Sequence, residues 1–227
     1  MIPLRGSIRS QTFPIFNISL IVVNVLIFVL VLLLGEDRGT FFNTFGVVPA
    51  NLTSALRGEG AASLSIVPLF TSMFLHAGPI HLLGNMLFLW VFGDNVEDSM
   101  GHFRYLVFYV LCGVGATGVH IVFAPFSEVP VVGASGAIAG VLGAYILLFP
   151  HSRVLTLIPI VFFFHLVKIP AWVFLGIWFV MQFFSGLFSI AGPSAGGVAW
   201  WAHVGGFASG AILLYPFRRR RRDRQYL

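Results

Sequence analysis

Four residues stand out for the chemistry they can do together: Ser135, His203, His81 and Asn85. A serine hydroxyl is a weak nucleophile until a neighbouring base takes its proton, and histidine is the side chain most often used for that task. Ser135 lies in Gly133-Ala134-Ser135-Gly136 and His203 in Ala202-His203-Val204-Gly205-Gly206, each near the start of an apolar run. His81 and Asn85 have the spacing that puts two side chains on one face of a helix. Attack on a carbonyl creates an oxyanion that needs preorganised donors. The Ser135 N–H, the Asn85 amide and the His81 ring are the candidates, and a helix start favours negative charge. Glu36, Asp37, Glu59, Asp94, Glu97, Asp98, Glu128 and Asp223 all read as loop or tail residues. The expected machinery is therefore a Ser135–His203 dyad with no acid, a variation on triad logic.

The elements that position these residues read as membrane helices. Of 227 residues, 58% are hydrophobic and 9% charged, where a soluble domain carries about a quarter charged. This composition excludes a soluble protein, and equally a disordered one. The single cysteine, Cys112, excludes a disulfide scaffold and a Cys-rich metal site, and it reads as core. Six of the thirteen basic residues are Arg218 to Arg222 and Arg224. Such a cluster fits a membrane flank better than a nucleic-acid-reading face.

Apolar runs at 15–34, 103–123, 135–149, 171–190 and 200–217 read as spans, with a shorter sixth at 79–92. The short ones, 79–92 and 135–149, rise about 21–22 Å as helices against a hydrocarbon core of about 30 Å, so water or loops must reach in beside them. The run 155–167 contains Pro159 and leads through Phe162 to Phe164, which favours an extended or interfacial piece over a span. Six spans put both termini on one side. That side then holds eleven basic residues against two, Arg38 and Arg57, on the other, a strong positive-inside bias. In this topology His81, Ser135 and His203 fall at one depth, near the outer ends of their helices. Gly136 and Gly140, and Gly206 and Gly210, form G-x-x-x-G pairs that let helices approach closely in lipid. Loop one, 35–68, is long and carries Phe41, Phe42, Phe45, Val47 and Val48, so it is expected to dip into the membrane surface. The expected layout is all-α and polytopic, with a cytoplasmic segment 1–14, a six-helix domain 15–217 and a basic cytoplasmic tail 218–227.

Gly133-Ala134-Ser135-Gly136-Ala137, His81-x-x-x-Asn85 and Ala202-His203-Val204-Gly205-Gly206 together resemble the rhomboid intramembrane serine proteases in their minimal six-helix form. The resemblance implies that Ser135 is the nucleophile and His203 the general base. It implies that Asn85, His81 and the backbone at Gly133 form the oxyanion site, and that His76 is structural. Two positions depart from the pattern. Ala139 stands where some members carry an aromatic ring stacked on the catalytic histidine, so another group must orient His203. Gly84 stands where some carry a bulky gate residue, and no gate residue is assigned.

The resulting reading is a serine endopeptidase that cuts transmembrane segments of other proteins near the outer face. It lies in a bilayer, and the short form suits a bacterial or archaeal inner membrane. Neither cofactor nor metal is expected, and no nucleic acid. The sequence carries no signal for an oligomeric state. The rivals are a catalytically inactive relative that binds membrane helices and a small-molecule transporter, the latter disfavoured because corresponding halves show no repeat. His102, His120, His151 and His165 read as interfacial or structural. Trp90, Trp172, Trp178, Trp200 and Trp201 read as including interface anchors.

Overall fold

The computed structural model describes residues 1–59, 66–160, 163–191 and 198–219. Phe162, residues 60–65 of loop one and residues 220–227 of the basic tail lie outside that set. Six longer helices carry the bundle: α1 (Ile15–Leu33), α5 (Pro79–Met100), α6 (His102–Phe123), α7 (Ser135–Leu148), α8 (Ala171–Ala191) and α9 (Trp200–Phe217). Loop one holds two short ones, α2 (Arg38–Phe45) and α3 (Pro49–Leu56), and a third, α4 (Val67–Thr71), begins at its end. Among the described residues three segments, Ile15–Leu33, His102–Phe123 and Ala171–Ile190, are long and apolar enough on their own to cross a membrane. Val67–Phe74 and Pro79–Met100, bent by 91° at their junction, make a fourth candidate. Helix α7 is apolar but has only fourteen residues.

Helix α5 departs from expectation. It runs for 22 residues, well past the expected end at residue 92, so Asp94, Glu97 and Asp98 are helical and not in a loop. Their charge ended the apolar window without ending the helix, because the N-terminal segment satisfies it. Glu97 is fully buried. Its carboxylate accepts the backbone N–H groups of Phe16 (3.1 Å) and Asn17 (2.7 Å), in the first turn of α1, and meets Nδ1 of His102. First-turn N–H groups have no intrahelical acceptor, and the helix dipole favours an anion there. Asp98 accepts the N–H groups of Gln11 and Thr12 and the Thr12 hydroxyl. Asn17 completes the joint: its Nδ2 donates to the Leu89 carbonyl at 3.1 Å, and its Oδ1 accepts from the Tyr105 hydroxyl at 2.8 Å.

The chain is mostly helical but not all-α. The strands β1 (Ile2–Gly6), β2 (Arg153–Ile160) and β3 (Phe163–Pro170) form an antiparallel sheet in that order. Ile2 pairs with Leu157, and Arg153 with Pro170. Within the run 155–167 the described residues, 155–160 and 163–167, are thus extended, as Pro159 and the aromatic residues suggest, and Ile2–Gly6 supplies a third strand that composition does not announce. Val154 and Thr156 alternate with more exposed neighbours along β2 and are fully buried, the period expected of a half-covered strand.

The core is built around α7. Gly136 through Tyr145 are all buried, so this short helix is enclosed by its neighbours. Small residues make that possible. A Cβ on Gly206 would collide with the carbonyl oxygen of Gly136, one on Gly210 with that of Gly140, and one on Gly143 with that of Phe207. On the other flank Gly136 meets the Cβ of Ala116, and Gly140 meets Cys112. Cys112 is therefore core packing between α6 and α7. The segment leading into α7 is braced by loop one: Val47 and Val131 exchange both backbone hydrogen bonds (3.1 and 2.7 Å), and the Ala50 N–H donates to the Ser127 carbonyl at 3.0 Å.

Replacing Glu97 by Ala is expected to lower the thermal midpoint of the detergent-solubilised protein markedly. Each buried N–H left without an acceptor costs about 1–3 kcal/mol, and a chain of this size moves about 2–4 °C per kcal/mol. Glu97→Gln, which retains an acceptor oxygen, is expected to lose less. An unchanged midpoint for Glu97→Ala would show that the joint carries no stability.

Candidate active site

Ser135 opens α7, and the turn before it is shaped by Gly133, whose φ of 132° suits glycine alone. A Cβ on Gly133 would stand 2.8 Å from Cε1 and Nε2 of His81 and 3.6 Å from Ser135 Oγ. The His81 ring therefore lies against the bare glycine, beside the serine hydroxyl. The Gly133 N–H donates to the Ser72 carbonyl at 2.9 Å. Gly133 thus gives the site room and a turn, while the free donors are the first-turn N–H groups of α7, which lack intrahelical acceptors.

His203, on the first turn of α9, reaches Ser135 directly, with Nε2 2.9 Å from Oγ. Its other nitrogen, Nδ1, is 2.6 Å from Oε1 of Gln182 on α8. The rings of Trp178 and Trp200 flank the imidazole at centroid distances of 6.0 and 6.1 Å. These two tryptophans thus pack around the site, and Trp201 stacks on Phe123 at 3.7 Å. Ala139 is fully buried against α9, its Cβ 3.2 Å from where a Cβ on Gly206 would sit. An aromatic ring does not fit there without parting α7 from α9. Support for His203 comes instead from α8.

His81 and Asn85 line the same cavity as Ser135 and His203, a space of about 740 Å³ bounded by α5, α6, α7, α8, α9 and the segment leading into α7. Asn85 is buried, and its Nδ2 has no hydrogen-bond acceptor among the described residues. His76 is buried behind His81 and packs edge-on to it at 5.1 Å. Gly84 faces the cavity, and a Cβ there would meet nothing within 4 Å. Phe88 spans from α5 toward α8, 6.3 Å from Trp178 and 6.2 Å from Phe174. Among the described residues no cluster of His, Cys, Asp or Glu is arranged to hold a metal ion.

Gln182 escaped the sequence analysis. It stands between Met181 and Phe183 in an apolar helix, with no motif around it. The usable signal was its cost: an amide in the middle of a membrane span needs a hydrogen-bond partner, usually on another helix.

Residues 64–220, more than two thirds of the chain, match the family model of the rhomboid domain. The chain is a member of the rhomboid family. Rhomboid protease GluP of Bacillus subtilis is 34% identical over 137 residues, 58% of this chain and 24% of that protein. RHOMBOID-like protein 6, mitochondrial, of Arabidopsis thaliana is 42% identical over 77 residues, 34% of this chain and 24% of that protein. Presenilin-associated rhomboid-like protein A, mitochondrial, of Danio rerio is 33% identical over 106 residues, 45% and 28% of the two chains. This rhomboid thus matches about a quarter of the length of these curated relatives. Rhomboids are integral membrane proteins, and the apolar helices here agree with that.

Gly133→Ala is expected to slow the reaction of Ser135 with a fluorophosphonate at least about tenfold. A side chain at that φ costs on the order of 1–3 kcal/mol, and its Cβ displaces the His81 ring. The labelling rate of the two proteins in the same detergent measures it.

Proposed function

We propose that this rhomboid is an intramembrane serine endopeptidase that cuts transmembrane segments of other proteins. The observation that carries the reading is the 2.9 Å contact between Ser135 Oγ and His203 Nε2, at the edge of a cavity that also holds Asn85, whose Nδ2 has no acceptor among the described residues. In the proposed reaction Ser135 Oγ forms a bond to the scissile carbonyl carbon as its proton passes to His203 Nε2. The carbonyl electrons move onto oxygen, where the Ser135 N–H, Asn85 and His81 stabilise them. The intermediate collapses, the C–N bond breaks, and the amine leaves with the proton from Nε2. A water molecule then repeats the sequence on the acyl-enzyme and releases the acid.

Helices α1, α5, α6, α7, α8 and α9 serve as six spans with both termini in the cytoplasm, and residues 15–217 form the membrane domain. The shortness of α7 supports a site set below the outer surface yet within reach of water: fourteen residues cover about 21 Å of a core of about 30 Å. A substrate helix must unwind to be cut, because its carbonyls are otherwise tied up in its own hydrogen bonds. The gap between α5 and α8, where Gly84 leaves space, is the proposed way in.

Cleavage of a single-span reporter in liposomes by purified protein is expected to fall at least about 10³-fold in Ser135→Ala and in His203→Ala, the order seen when a member of a catalytic unit is lost. Equal cleavage by wild type and Ser135→Ala would discard the mechanism. A protein that binds the reporter without cutting it, and whose Ser135 takes no fluorophosphonate, would be the binding-only relative.

A further inference from the structure

We propose that Gln182 is the positioning residue of this site, fixing the tautomer and ring plane of His203; the inference rests on the serine-protease reading above. The argument starts from the two ring nitrogens. For Nε2 to take the proton of Ser135, it must present a lone pair, so the neutral ring must carry its hydrogen on Nδ1. That Nδ1–H needs an acceptor in a buried place. Gln182 Oε1, 2.6 Å away, is the acceptor the structure provides. Gln182 is itself buried, and its helix, α8, is distinct from the helices that carry the dyad. A histidine held through one nitrogen by an outer partner is the general device for fixing which nitrogen reacts.

The choice of an amide follows from the setting. A carboxylate would do the same orienting work and would stabilise the imidazolium better, but an unpaired charge inside a membrane protein is costly. The amide oxygen accepts the same hydrogen bond with no net charge. Trp178 and Trp200 confine the ring from the sides but donate and accept nothing at Nδ1. With Gln182 replaced by an apolar side chain, the ring is free to carry its hydrogen on Nε2, where it cannot serve as base toward Ser135.

The test compares Gln182→Leu and Gln182→Glu with wild type in liposomes, reading kcat and KM on a single-span reporter, fluorophosphonate labelling of Ser135 and the thermal midpoint. Gln182→Leu is expected to lower kcat and the labelling rate about 10- to 100-fold, the usual effect of losing a residue that orients a functional histidine, with KM nearly unchanged. Gln182→Glu, which keeps an acceptor oxygen at the same reach, is expected to restore most of that loss. Should Gln182→Leu fail to fold, Gln182→Asn, whose oxygen is drawn back by one methylene, is expected to show the same fall. Wild-type kcat and labelling in Gln182→Leu would overturn the proposal. So would an equal loss in the Leu and Glu variants accompanied by a lowered midpoint, which marks a packing role only. Wild-type protein that neither labels nor cleaves would instead overturn the protease reading, and this role with it.

Discussion

The separation of α7 and α9 is the constraint on which the rest of the structure depends. Ser135 and His203 are the short and the medium-length side chain of a pair that meets at hydrogen-bond distance, 2.9 Å. A serine hydroxyl reaches only a short way from its own backbone, so the two helices must lie nearly in contact. They do so through glycine, with the backbone of one helix resting on that of the other at Gly136, Gly140, Gly206 and Gly210. Helix α6 backs the same pair with Ala116 and Cys112. The antiparallel bridge between Val47 and Val131 then fixes how the chain enters α7, and so where Ser135 stands.

A second constraint is the handling of charge in an apolar body. The buried carboxylate at Glu97 is placed where a helix start supplies two N–H donors and His102 a third. At the other end of α5, the imidazole of His81 and the amide of Asn85 face the cavity. The site on α7, α8 and α9 follows the same rule, with hydroxyl, imidazole and amide in one chain of hydrogen bonds. Among the described residues the buried carboxylate, Glu97, thus sits at the joint with α1, while the cavity is lined by polar side chains without a carboxylate. That division suits a protein with little water around it.

Much of this was legible in the residues. The apolar runs located α1, α6, α7, α8 and α9 to within a residue or so, because a membrane helix has to be apolar throughout its length. Ser135, His203, His81 and Asn85 were visible as polar groups in such runs, and the structure brings them to one cavity. The second half of α5 was not legible, since Asp94, Glu97 and Asp98 imitate a loop until the N-terminal segment is folded onto them. The sheet was half legible: 155–167 reads as extended, but β1 depends on a partner about 150 residues away, and strand pairing leaves no local trace. Gln182 was missed for a related reason. One amide in an apolar helix gains its meaning only from the imidazole across the interface.

The glycine contacts have a consequence for how this fold can change over time. At an ordinary core contact a larger side chain on one helix can be offset by a smaller one opposite. At Gly206 and Gly210 the obstacle is a carbonyl oxygen of the facing main chain. No substitution removes a carbonyl, so no partner mutation can make room. These positions are exempt from the usual exchange of bulk across an interface. Drift in the bundle must go on around them, in the lipid-facing residues and in the loops.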